Sequence, residues 1–87
     1  MFVIEDELHA EPQGRFQTRQ QAVAELQRLA AIPWDEEPNR PPRGERNCGR
    51  RYEVIEYDDS VTPWAELSRT LLLEVSAAGV QWVTDVD

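Results

Sequence analysis

Proline placement limits this chain more than any other feature. Four of its six prolines, Pro33, Pro38, Pro41 and Pro42, fall between residues 33 and 49, with Gly44 and Gly49 among them. Proline removes a backbone donor and fixes φ, so it stops a helix and survives in a sheet only at an edge or a bulge. No apolar period crosses this stretch. Regular structure is therefore expected on either side of an irregular Pro/Arg-rich loop at about 33–49. With 87 residues in all, the chain has room for one small domain and a thin core, and none for a Rossmann unit or a barrel.

The segment before the loop reads as a hairpin and a helix. In FVIEDELHA (2–10), Phe2, Ile4, Leu8 and Ala10 share one strand face, and Val3, Glu5, Glu7 and His9 share the other. Asp6 interrupts the apolar face. Pro12-Gln13-Gly14 carries a turn signal, after which Arg15-Phe16-Gln17 can pair back. Thr18 followed by Gln21 fits a capping box. Ala22, Val23, Leu26, Leu29 and Ala30 then repeat at three- and four-residue spacings, which predicts an amphipathic helix ending before Pro33.

The segment after the loop reads as strands. RRYEVIEYD (50–58) has apolar mass on both faces, as a central strand does. Thr62-Pro63 is a helix-start signal, and one helical turn is expected over 63–67. A hairpin of 70–75 and 80–84 should follow, turning at Ser76–Gly79. The order is ββ-α-loop-βββ, an α+β domain with one main helix packed on one face of an antiparallel sheet of four or five strands. The helix stripe is expected over Phe2, Ile4, Val54 and Leu71 or their neighbours.

Composition excludes several chemistries. The formal net charge is −8, and all nine bases are Arg. Without Lys there is no Schiff-base amine, P-loop lysine or Ser–Lys dyad. One His and one Cys cannot supply a structural zinc site or an internal disulfide. No G-x-S-x-G elbow occurs near His9 or any serine. No cofactor and no metal are expected, and an enzyme is the least favoured class. No run of apolar residues reaches membrane-spanning length. The acidic N-terminal FVIEDEL lacks the basic start of a signal peptide. These features point to a cytoplasmic protein, and the Arg-for-Lys bias to a GC-rich bacterial source.

Two features suggest contact with a partner. Arg40, Arg43, Arg46, Arg50 and Arg51 lie in a stretch with one Glu, a local charge of +4 in an otherwise acidic chain. Arginine forks suit carboxylates and phosphates. Trp34, beside Pro33 at the start of the loop, is the tryptophan best placed to anchor a partner. Trp64 and Trp82 read as core. The acids Glu5, Asp6, Glu7, Glu53, Glu56, Asp58 and Asp59 read as solubilising strand faces. Cys48 reads as an ordinary loop thiol. The expected function is a non-enzymatic accessory or protein-interaction domain, with a protein partner or a second copy joined through a sheet edge. The alternative is a nucleic-acid-associated regulator using Arg40 to Arg51, which the acidic remainder of the chain disfavours.

Overall fold

A computed structural model describes residues 1–8, 11–40 and 49–83, with the side chain of Glu11 left out. Five strands and one helix follow in the order β1 (Phe2–Asp6), β2 (Glu11–Phe16), α1 (Arg19–Ala30), β3 (Arg50–Asp58), β4 (Ala65–Ser76) and β5 (Gly79–Trp82). They form one antiparallel sheet, β2-β1-β3-β4-β5, with α1 against one face. This is the α+β arrangement ββ-α-βββ that the patterning predicts. The central position of β3 explains why both of its faces are apolar.

Helix α1 starts where its cap dictates. Thr18 is extended, its Oγ1 accepts from the Gln21 N–H at 3.1 Å, and Gln21 Oε1 accepts from the Thr18 N–H at 3.4 Å. Ala22, Val23, Leu26 and Leu29 are buried. They meet Ile4, Tyr52, Val54, Leu72, Leu73 and Val75 from the sheet in one core. Phe2, Phe16, Ala30, Ile32 and Trp34 pack around its margin.

Three expectations are corrected. Pro12, Gln13 and Gly14 lie inside β2, and the chain reverses earlier, beyond Asp6. Ile4 pairs with Gly14 and Glu5 with Pro12, so Gln13 is an extra residue, a bulge. The edge position of β2 makes Pro12 tolerable. The second correction concerns 63–67. No helical turn forms there, and β4 runs for 12 residues from Ala65. Ala, Glu, Leu and Arg favour helix locally, yet pairing with β3 overrides that preference. Third, Trp82 is not core. It stands 37% exposed on edge strand β5.

Gly49 shows how tightly β3 meets β4. A Cβ there would sit 2.3 Å from the carbonyl oxygen of Val75. Only glycine allows the two backbones to approach this closely.

Candidate interaction surface

The end of the described segment after Pro33, at Asn39 and Arg40, is held by a buried polar network. Asn39 is 1% exposed. Its Nδ2 donates to the carbonyls of Leu29 and Ile32 at 2.7 and 2.8 Å, satisfying acceptors at the C-terminal end of α1. The Tyr52 hydroxyl donates to Asn39 Oδ1 at 2.8 Å. Arg50 donates from Nε to the Asn39 carbonyl, from one terminal nitrogen to the Arg40 carbonyl, and from the other to Asp6 Oδ2 at 2.9 Å. Asp6 Oδ1 also accepts from the backbone N–H groups of Leu8 and Arg51. The acid that interrupts the apolar face of β1 is thus the counterion of a buried arginine. Asp6 and Glu53, read as solubilising acids, are buried instead.

The structure divides the arginine cluster. Arg50 is 4% exposed and turned inward. Arg51 is bound to Glu74 at 3.1 Å and to Glu7 at 3.5 Å. Arg40 is exposed and paired with Glu37 at 2.8 Å. Arg43 and Arg46 lie outside the described residues. The three described arginines therefore each face the protein's own acids. Trp34 is half-buried against the core, as a core tryptophan would be.

The sheet face away from α1 carries charge over a thin apolar layer. Val3 and Ile55 are buried there. Arg69 reaches Glu53 at 2.5 Å, Glu66 at 2.8 Å and Glu5 at 3.8 Å. Hydrogen bonds to Glu66 and Glu53 raise the pKa of its guanidinium further. Arg15 lies over the Trp64 ring at 5.1 Å, and Tyr57 packs on the same ring at 5.9 Å. Asp58 has its carboxyl pKa lowered by hydrogen bonds from the Ser60 hydroxyl and N–H. Among the described residues no group of three or more His, Cys, Asp or Glu could hold a metal ion. No helix among them is long and apolar enough to cross a membrane.

The sheet edge at β4 is the feature that sequence reasoning missed. β4 pairs with β3 along its length, from Ala65 opposite Asp58 to Val75 opposite Arg50. On its other side β5 covers only Leu73–Ser76, and the Val83 N–H adds one bond to the Leu72 carbonyl. Among the described residues no strand pairs with the outer edge of Ala65–Thr70. Residues 65–69 are all exposed, and Leu67, at 59%, is the most exposed large apolar side chain described. It sits at a bulge, since Glu56 pairs with Ser68 and Tyr57 with Glu66. The signal that hid this edge was Thr62-Pro63, which reads as a helix start. The β-branched and apolar run from Thr70 onward was the only hint of a strand.

No family model, curated protein or solved structure matches this chain.

Proposed function

We propose that this protein is a non-enzymatic protein-interaction domain that receives a partner's strand on β4 at Ala65–Thr70. The observation that carries this reading is the half-covered strand: among the described residues no strand covers the outer edge of Ala65–Thr70, which has an exposed leucine in its middle. An unpaired edge offers a row of N–H and C=O groups to any strand that can reach it. Backbone bonds then supply affinity, and flanking side chains supply selectivity. β3 pairs with β4 along this stretch, so the receiving strand is already extended and little ordering is needed on that side. We place this action in the cytoplasm of a bacterial cell, a reading supported by the lone cysteine and the arginine-only bases.

The nucleic-acid reading has weaker support. Arg40, Arg50 and Arg51 are paired with acids of the same chain, and the net charge repels a phosphate backbone.

The test is capture from source lysate with the wild type and with Leu67→Lys, followed by amide hydrogen exchange on the purified pair. The expected result is a partner lost from the variant and protection at Ala65–Thr70. Protection confined to other elements contradicts the proposal.

A further inference from the structure

We propose that the strand received at Ala65–Thr70 is the same segment of a second copy of this chain, paired antiparallel about a twofold axis between Leu67 and Ser68. This rests on the strand-accepting reading of β4 and names its occupant. Two five-stranded sheets would then join into one.

The first argument is charge. Glu66 stands opposite Tyr57 and Arg69 opposite Ile55, both on the face away from α1. The bulge at Leu67 is what brings these two residues, three apart, to the same face. The Arg69 guanidinium lies 2.8 Å from Glu66 Oε1 within one copy. Read in the opposite direction, this acid-then-base pattern is its own complement. The register that sets Glu66 opposite the partner's Arg69 also sets Arg69 opposite the partner's Glu66. Leu67 then faces Ser68, and Ala65 faces Thr70. An isologous contact of this kind satisfies each pair twice, and opposite charges across strands stabilise the pairing.

The second argument is fit. β4 begins at Ala65, just after Pro63, and the bond from Val83 to the Leu72 carbonyl marks where β5 cover begins. The twofold register uses the first six of the residues between, Ala65–Thr70. The partner's chain leaves the sheet at its own Pro63-Trp64 before it would meet β5. Leu67, exposed in one copy, comes next to the axis, where the two leucines cover one another. A bulged edge discourages a flat strand. Here the two bulges lie side by side, so each copy's local twist meets the same twist.

Sedimentation equilibrium of the full chain, from about 10 µM to about 1 mM, tests the proposal at an affinity suited to a short contact between acidic copies. The wild type should show a monomer–dimer equilibrium within that range. Glu66→Arg and Arg69→Glu should each raise the dissociation constant at least about tenfold when alone, because like charges then face one another twice. Mixed in equal amounts the two variants should form a heterodimer, since their reversed charges match. Arg69 also binds Glu53, so each variant's melting is checked. Should Arg69→Glu fail to fold, Leu67→Lys at its exposed site should abolish the dimer with unchanged melting. A wild type that stays monomeric throughout overturns the proposal, as does a dimer indifferent to both Glu66→Arg and Leu67→Lys. Monomeric behaviour removes the second copy as occupant, whereas the strand-accepting reading falls only if a captured partner leaves Ala65–Thr70 unprotected.

Discussion

Asp6 and Asn39 occupy places where a small core ordinarily holds hydrocarbon, and each is tolerated because every polar atom it buries is bonded. No buried side-chain polar atom lacks a partner among the described residues. Such networks are costly to break singly, because the abandoned partner keeps its desolvation penalty. Arg50→Met should therefore destabilise the protein by about 3–5 kcal/mol, since it strands the Asp6 carboxylate at 0% exposure. Asn39→Ala should cost about 1–3 kcal/mol by removing the donor to the Leu29 and Ile32 carbonyls and the acceptor of the Tyr52 hydroxyl. Urea melts of both variants check this, and a cost below that of an exposed substitution at either site would contradict the network's role. The sequence showed Asp6 as a defect and Arg50 as part of a basic cluster. Neither could be read as half of a pair, because their partnership depends on β1 lying beside β3, a contact 44 residues apart.

At the scale of elements, legibility followed locality. α1 was readable from Thr18 to Pro33 because its cap, its stripe and its stop all lie within a few turns. Thr18→Ala should cost about 1 kcal/mol, and Leu26→Ala, at a fully buried site, about 2–5 kcal/mol. Thermal melts that rank them in the opposite order would contradict the packing of α1. β3 was readable because a central strand is apolar on both faces. The first half of β4 was not, because Ala65-Glu66-Leu67 favours helix and only its neighbour β3 makes it a strand. The close approach of β3 to β4 gives a further expectation. Gly49→Ala forces the Val75 carbonyl to move and should cost about 1–3 kcal/mol, read as a lower midpoint in denaturant. A neutral result would mean that the start of β3 can shift without loss.

At the scale of the whole molecule, α1 covers only part of its sheet face. Val80 and Trp82 on β5 pair with the buried Val75 and Leu73, yet stay exposed themselves. The order of elements was legible, and the edge was not, because an edge is defined by where neighbouring strands end. The candidate site therefore shifted from Trp34 and the arginines, chosen for their chemistry, to Ala65–Thr70, identified by a backbone edge that no described strand covers. The most direct measurement is residue-resolved amide exchange by NMR, comparing dilute with concentrated protein. Protection should rise with concentration at outward-facing amides of Ala65–Thr70 and stay constant along β2, the edge strand at the far side of the sheet. Exchange at Ala65–Thr70 that does not change with concentration, or protection gained at Glu11–Phe16 instead, would contradict the account.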